Sequence, residues 1–244
     1  MSAGRRVVPL TGDQLEHVAA PCDACLFWER GEPSPTHHPF DPDTAERARV
    51  RKQAWVSTRI QEGCAPGRVV LLDGVPAAWV LFAPVAAFAP RPAPAPRPSG
   101  DALQLATLWV EPHLRGHGLG RLLLHATLRE AVRLEMAAVE AYADRRWRER
   151  GCVLPATWLL REGFAVHREA PRVPLLRLDV RRTRWWAPSL EAALEEVLGR
   201  IPRPVPSPEG AARTPAVGTP GRERDEGPAL DAPCVGRSGV GQNA

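Results

Sequence analysis

The sequence predicts an α/β (α+β) fold with a mixed central sheet, and three patterns lead to that prediction. Residues 103–110 are mostly β-branched, aromatic or aliphatic, as in a strand that is buried on both faces. Apolar residues take helical spacing from Leu119 onward, and residues 137–143 again have the composition of a strand. A helix between two apolar strands implies a parallel crossover. Two earlier apolar runs flank Asp73-Gly74, which indicates an antiparallel hairpin.

Two helices are expected before the hairpin. A short helix is predicted over residues 11–18, where Thr11 and Gln14 have the spacing of a capping box. A longer helix is predicted over residues 42–61, with Asp41 as its N-cap and a proline at its first position.

The hairpin itself is expected to consist of strands at residues 68–72 and 77–82. After it, residues 84–100 carry six prolines, which favour extended polyproline conformers that bury little surface. A solvated loop is therefore expected here, in preference to a docking segment for an SH3-like partner.

Four more elements are expected after the crossover. Residues 155–162 should form a short helix that ends at Gly163. Strands at residues 164–167 and 175–180 should follow it, and residues 189–198 should form a last helix with one apolar face.

The chain is expected to consist of one domain, residues 1–200, and a tail, residues 201–244. The tail is rich in proline, glycine and alanine and has hardly any large apolar residues, so it should be disordered. It has five arginines and five acidic residues, and the formal net charge of the whole chain is only +4. A nucleic-acid partner is not expected from so balanced a tail.

Composition also bears on the compartment. There is no apolar run of 18 residues, so no membrane span is expected. The first ten residues lack the apolar region of a signal peptide. The five cysteines are therefore expected to be thiols or metal ligands rather than disulfides, and the cytoplasm is the expected location.

The segment between the strand at 103–110 and the following helix is the most informative one. It reads Arg115-Gly-His-Gly-Leu-Gly120, and glycines at alternate positions let a backbone approach a ligand and direct its N–H groups at it. Together with the start of a helix, this makes an anion site that suits a pyrophosphate. A P-loop would need Lys-Ser/Thr where Arg121 and Leu122 stand, and a dinucleotide fingerprint would need a third glycine at 121.

The pattern that does fit is Arg/Gln-x-x-Gly-x-Gly/Ala, read as Arg115, Gly118 and Gly120 after a strand that ends Val110-Glu-Pro. This arrangement closely resembles the acetyl-CoA-binding motif of the GNAT acyltransferases. The resemblance implies that the loop amides hold the coenzyme A pyrophosphate and that the preceding strand binds pantetheine through its backbone. The coenzyme-binding residues that it implies are Leu108, Trp109, Val110, Arg115, Gly116, His117, Gly118, Leu119, Gly120 and Arg121.

The resemblance extends over residues 11–199, including Trp158 to Phe164, which is similar to the family's helix that ends at Gly-Phe. It implies a mixed sheet in which parallel strands 4 and 5 splay apart, flanked by helices. The N-terminal run Cys22-x-x-Cys25-x-Phe-Trp-Glu is similar to that of an actinobacterial subfamily. The first two helices and their connection would then lie near the acceptor substrate.

Direct transfer of an acyl group to an amine needs a polarised thioester carbonyl and a neutral amine. The backbone N–H of Val110, where strands 4 and 5 are expected to splay apart, is the candidate donor that would polarise the thioester carbonyl. Because the amine arrives as ammonium, a carboxylate or a chain of water must take a proton. Glu140, which alternation places on one strand face with Tyr142, is one candidate, and Glu111 is the other. Pairing of Glu140 with an arginine is the alternative.

The leaving thiolate needs a proton, and the sequence departs from the family in the residue that would donate it. Many GNAT enzymes place a tyrosine in the helix before Gly-Phe, and residues 155–162 contain none. Tyr142, the only tyrosine in the chain, Cys152 or water would have to serve, unless no general acid is needed.

Cys22 and Cys25 have the spacing of metal ligands, but a second ligand pair is missing, so no metal is predicted. His37, His38, Cys64 and Cys152 are the possible further ligands. A redox pair is another possibility, and packed inert thiols are the preferred interpretation.

The sequence as a whole predicts an N-acetyltransferase that moves an acetyl group from acetyl-CoA to an amine of a small molecule or a protein. The acceptor itself is not predicted, and either a monomer or a homodimer is compatible with the sequence. Two alternatives stay open: an acyl-CoA sensor without turnover on the same fold, and a zinc- or redox-dependent adaptor built on Cys22 and Cys25.

Overall fold

The computed structural model describes residues 6–18, 20–34, 40–91, 95–147 and 152–183, all within the first of two units, Met1–Arg203. The helix expected at 189–198, the domain boundary at 200 and the tail at 201–244 lie outside the described residues.

The described residues form one mixed sheet with helices packed on it. Its strands are β1 Arg6–Pro9, β2 Gly67–Leu72, β3 Val75–Pro84, β4 Ala102–Val110, β5 Ala138–Asp144, β6 Leu154–Pro155, β7 Ala165–Arg168 and β8 Leu175–Asp179. The order across the sheet is β1-β2-β3-β4-β5-β8-β7, and β6 pairs with β5. The α-helices are α1 Phe27–Arg30, α2 Pro42–Gln61, α3 Leu119–Arg133 and α4 Ala156–Arg161. The expected α/β class is confirmed, because β4 and β5 are parallel across the α3 crossover while β1 to β4 are antiparallel.

The predicted hairpin turn and the predicted N-cap of the long helix are both confirmed. Asp73 and Gly74 both have positive φ, 54° and 82°, as a two-residue hairpin turn with right-handed strand twist requires. Asp41 caps α2, because its carboxylate accepts a hydrogen bond from the Thr44 N–H at 3.0 Å.

One prediction about the N-terminal part is wrong, and one strand there is not predicted. The capping box at Thr11 and Gln14 does not form: the element is a 3-10 helix, Asp13–His17, with Gly12 at its N-cap and no side-chain cap. The Gln14 N–H donates to the Thr11 carbonyl at 3.1 Å, so the tight turn already satisfies that donor. Strand β1 was not expected, because a run of only four residues at an edge carries little pattern.

Alternation along β5 divides the core into two layers. Val139 packs with the α3 and α4 layer, whose members include Leu105, Leu123 and Leu159. Tyr142 points to the opposite layer, with Trp28, Val56, Trp79 and Leu175. The sidedness predicted for β5 is therefore confirmed.

The proline-rich segment packs against the second layer, which differs from the solvated loop that was expected. Phe88 is buried and stacks on Trp55 with ring centroids 5.5 Å apart. Pro96 and Ser99 hydrogen-bond to side chains of β5. The physical reason is that a polyproline backbone leaves its carbonyls unpaired, so they can accept hydrogen bonds from a neighbouring surface.

None of the helices in the described ranges is both long enough and apolar enough to cross a membrane.

Candidate active site

The site begins where β4 and β5 separate. Their parallel pairing covers three residue pairs and ends at Gln104 and Glu140. On the other side of β4 the register with β3 shifts, so that Ala106 is an extra residue between the partners of Leu81 and Phe82. A bulge of this kind bends and twists its strand. Beyond it β4 continues to Val110 without β5 beside it.

The register of β4 determines which backbone groups face this gap. The Glu111 N–H donates to the Ala77 carbonyl at 3.0 Å, so Val110 and Ala78 form a non-hydrogen-bonded pair. The N–H and carbonyl of Val110 therefore point away from β3 and toward the gap, and those of Leu108 do the same two residues earlier. Neither N–H has a strand partner among the described residues. The gap consequently offers an open strand edge.

The glycine-rich loop continues from this edge. Gly116 and Gly118 have φ of 80° and 93°, in the left-handed region that favours glycine. Gly118 is the N-cap residue of α3, and the Leu122 N–H is the first to bond back to it, at 3.0 Å. In the described part of the chain, no backbone hydrogen bond uses the N–H groups of residues 116–120. They form a run of donors at the positive end of a helix dipole.

Contacts from Arg115 fix the loop to β4. Its Nε donates to the Val110 carbonyl at 3.1 Å, and its guanidinium lies 5.0 Å from the centroid of the Trp109 ring. Nδ1 of His117 lies 3.0 Å from the Arg115 carbonyl oxygen.

Two later residues of the motif have packing roles. A Cβ at Gly120 would lie 3.3 Å from the Trp158 ring, so this glycine lets α4 approach the start of α3. Arg121 donates to the buried Glu162 carboxylate at 2.8 Å, which ties the same two helices together.

Glu140 lies at the last parallel pair and is fully buried. It accepts from Arg177 at 2.9 Å and from the Ser99 N–H at 2.8 Å, and His167 Nε2 is 3.6 Å away. Hydrogen bonding to Asp101, and further to Asp179 and Glu140, raises the pKa of Arg177. The pairing with an arginine that the sequence left open is thus present in the structure.

Tyr142 also has partners in the structure. Its hydroxyl donates to the Pro96 carbonyl at 2.5 Å, and its ring stacks on Trp28 at 5.7 Å. Burial raises the pKa of the Tyr142 phenol above its ordinary value.

Glu111 follows β4 directly and differs from the other two candidates. It precedes the 3-10 turn Pro112–Leu114 and is only partly buried. Its carboxylate makes no hydrogen bond or ion pair with any residue that the structure describes. Of the three catalytic candidates it is therefore the one whose carboxylate is available.

A second group of side chains, which sequence reasoning missed, meets on the Tyr142 face. Phe27 and Trp28 contact edge to face at 5.1 Å, and the Trp28 indole N–H donates to the Cys152 carbonyl at 3.2 Å. The Arg91 guanidinium lies 4.0 Å from the Phe27 ring centroid and 5.3 Å from that of Trp28. No sequence signal could have found this group. Phe27 and Trp28 are adjacent, but they, Arg91 and Cys152 are otherwise 61 to 125 positions apart in the chain.

Three cysteines come close together near this face. A hydrogen bond with Cys152, and burial, raise the pKa of the Cys25 thiol, and burial raises the pKa of Cys22 to about 11. Cys152 Sγ also lies 3.0 Å from Ser34 Oγ. Thiols with raised pKa values are poor nucleophiles at neutral pH. Within the described ranges the cysteines form no disulfide, and no cluster of cysteine, histidine and acidic side chains has the arrangement of a metal site. His37 and His38 lie outside the described residues.

The buried pair of Lys52 and Glu29 holds the cysteine segment on α2. Lys52 Nζ donates to Glu29 at 2.5 Å and to the Cys25 carbonyl at 2.7 Å. Glu29 is therefore committed to a structural ion pair.

A search of the curated proteins found no match. The model of the acetyltransferase (GNAT) family matches residues 26–148, half of the chain, from α1 beyond the end of β5. The chain belongs to the GNAT acetyltransferase family. The match includes the bulged strand β4, the glycine-rich loop and α3, and so it covers the predicted coenzyme-binding residues.

Three solved structures that are similar to this GNAT chain are distant from it in sequence. One is the PaiA N-acetyltransferase from Thermoplasma acidophilum in complex with coenzyme A, at 11% identity and TM-score 0.48 over 72% of this chain and 99% of that one. YncA from Salmonella typhimurium, a putative acetyltransferase with its cofactor acetyl-CoA, is 16% identical, with TM-score 0.48 over 72% and 94%. The ribosomal-protein-alanine N-acetyltransferase from Brucella melitensis is 16% identical, with TM-score 0.47 over 71% and 99%. The family assignment rests on the family model.

Proposed function

We propose that this GNAT protein is an N-acetyltransferase that uses acetyl-CoA as its acetyl donor and an amine as its acceptor. One observation carries the proposal: the N–H groups of Leu108 and Val110 at the β4 edge, and then those of residues 116–120, have no backbone acceptor among the described residues. Such a track suits a ligand with amide groups at one end and a pyrophosphate at the other. Coenzyme A has this form, and coenzyme complexes of the two similar structures agree with it.

The chain's own groups can be given roles on this basis. The loop from Gly116 to Arg121 would hold the pyrophosphate through its N–H groups, and the β4 edge would pair with the pantetheine amides. Bound acetyl-CoA supplies the acetyl thioester. The Val110 N–H is our candidate for the donor to its carbonyl oxygen, because it is the last N–H of β4 that faces the gap.

Glu111 is our first candidate for the group that takes a proton from the acceptor. A primary ammonium has a pKa of about 10.4, so the amine must lose a proton before it can attack. Glu111 lies one residue beyond Val110, and its carboxylate has no partner among the described residues. Glu140 is paired with Arg177 and Ser99, and Tyr142 with Pro96, so we propose that both are positioning residues that hold the proline-rich segment.

A matched pair of substitutions tests the coenzyme site. Gly116→Glu places a carboxylate beside the proposed pyrophosphate, while Gly63→Glu makes the same change at a glycine with a similar φ of 83°. A Cβ meets no atom within 4 Å at either position, so the two variants carry the same backbone strain without a clash. Gly120→Val is a poor test, because its side chain would meet Trp158.

We expect Gly116→Glu to weaken acetyl-CoA binding at least tenfold, as measured by calorimetric titration, because like charges meet at the helix start. Gly63→Glu should bind as the wild type does. Equal affinities of the two variants would remove the observation on which the proposal depends. Binding in the wild type without acetylation of any amine would instead favour the acyl-CoA sensor.

The location in the cytoplasm and the likeness of residues 22–29 to an actinobacterial subfamily stay predictions.

A further inference from the structure

Arg91 is a half-buried cation without an anion. It comes from the proline-rich segment and lies over the Phe27 and Trp28 rings. No carboxylate of the described residues pairs with it, and it makes no hydrogen bond to them. Burial lowers the pKa of Arg91, and the titratable groups close enough to act on it are Tyr142 and Cys152 rather than an acid. Because burying a charge is costly unless it is paired, this guanidinium calls for an external partner.

Two buried acids near Arg91 are already committed. Glu29 is held by Lys52, and Glu140 is held by Arg177. Neither can neutralise Arg91 without breaking a buried ion pair.

Two further donors on this face also lack acceptors. Trp79 and Trp109 are directly opposite each other on β3 and β4, so their side chains share a face, and both indole N–H groups are buried without a hydrogen-bond partner. Trp79 belongs to the same apolar cluster as Trp28 and Tyr142, and Trp109 packs against it. Buried donors in native proteins nearly always find an acceptor. The unsatisfied groups named here, Arg91, Trp79 and Trp109, are thus a cation and two donors. Glu111, two residues after Trp109, is the acid of this region whose carboxylate has no partner among the described residues, and its proposed role is toward the amine.

We infer that this face receives the acceptor and that Arg91 recognises a carboxylate on it. The acceptor would then be an amino-acid-like molecule, with an amine to be acetylated, a carboxylate for Arg91 and an apolar body against the aromatic rings. This inference rests on the proposed function. One unpaired guanidinium balances a single negative charge, which fits a carboxylate better than a phosphate dianion. Amines whose only charge is positive, such as polyamines, could meet Glu111 but would leave Arg91 without an anion.

The test uses product-like probes, so that it does not depend on turnover. The folded protein is titrated with N-acetylphenylalanine and N-acetylleucine, and with the carboxamide of each, both with and without saturating coenzyme A. Loss of coenzyme binding would be seen separately in the coenzyme titration, so failure of the proposed function is distinguishable from failure of this inference.

Arg91→Gln removes the charge, and Arg97→Gln is its matched control, because it removes an arginine from an exposed position of the same segment. We expect the wild type and Arg97→Gln to prefer at least one acid over its carboxamide by about 10- to 100-fold, as for a hydrogen bond to a charged group. Arg91→Gln should abolish that preference while binding coenzyme A normally, and Arg91→Lys should restore part of it.

Three results would overturn the inference. The first is equal binding of acids and carboxamides by the wild type, or no binding of either at millimolar concentration. The second is a preference for acids that survives in Arg91→Gln. The third is a loss of coenzyme A affinity in Arg91→Gln with no change in probe binding, which would make Arg91 a coenzyme ligand.

Discussion

The two sides of the site are built in different ways. The proposed coenzyme side is one continuous stretch, from the β4 edge through the glycine-rich loop to α3, and it presents mostly backbone N–H groups. The proposed acceptor side is assembled from side chains of α1, the proline-rich segment, β5 and the segment at Cys152. A backbone site depends on φ values and register, which a short motif specifies. A side-chain site depends on tertiary packing, which a motif does not specify.

The largest effect on turnover is expected for Glu111, which lies between the two proposed sides. Glu111→Gln should lower kcat by about 10²- to 10⁴-fold, the usual contribution of a general base, with an unchanged melting temperature. Acetyl-CoA affinity should not change, because the substitution leaves the backbone donors in place. The measurement is kcat and KM across pH beside a melting curve. Normal turnover in Glu111→Gln would show that the proton leaves by another route.

Substitution of Glu140 should lower stability and leave turnover per folded molecule largely intact, the opposite of the result expected for Glu111. Glu140→Gln breaks a buried ion pair with Arg177, which keeps Asp101 and Asp179 as partners, so the loss should be that of a hydrogen bond to a charged group, about 1.5–3 kcal/mol of unfolding free energy. Asp179→Asn, on the more exposed arm of the same arginine, is the control and should cost less than about 1 kcal/mol. Denaturant melts measure both. A stable Glu140→Gln protein with a large loss of kcat would restore Glu140 as a catalytic group.

The strand, glycine-rich loop and helix of the proposed coenzyme side could be predicted from the sequence, because Arg115, Gly118 and Gly120 stand in a fixed pattern after a strand. It also placed Glu140 and Tyr142 on one face, since alternation needs only the strand. It could not predict that Arg177 and Ser99 would engage Glu140. Those contacts join residues 37 and 41 positions away, and their geometry follows from how β8 and the proline-rich segment pack.

Tyr142→Phe should change stability less than Glu140→Gln does, and it tests one hydrogen bond of the proposed acceptor side. It removes the hydrogen bond to the Pro96 carbonyl and should cost about 1 kcal/mol of stability. Turnover per folded molecule should stay within about twofold, because the proposed role of the hydroxyl is to hold the proline-rich segment. A melting curve and a steady-state assay measure the two quantities. A normal melting curve with a strong loss of kcat would identify Tyr142 as the general acid.

The smallest effect concerns acid stability. Hydrogen bonding to Arg177 lowers the pKa of Asp101 below its ordinary value of 3.8. A lowered pKa adds stability above pH 3.8, and that stability is lost as the pH falls through the lower folded-state value. Asp101→Asn should therefore shift the melting temperature slightly at pH 7 and not at all at the acid end, where the carboxyl is protonated in both states. Equal shifts at both ends would mean that the Asp101 charge has no part in stability.

The most direct test of the account is a backbone amide spectrum recorded during an acetyl-CoA titration. If the unpaired N–H groups of residues 116–120, Leu108 and Val110 bind the coenzyme, the amides of residues 116–121 and those of Leu108 and Val110 should shift together and saturate with one affinity. The amides of the hairpin turn at Asp73-Gly74 should stay in place as an internal control. Saturation of the protein without any shift in residues 116–121 would contradict the assignment of the coenzyme site.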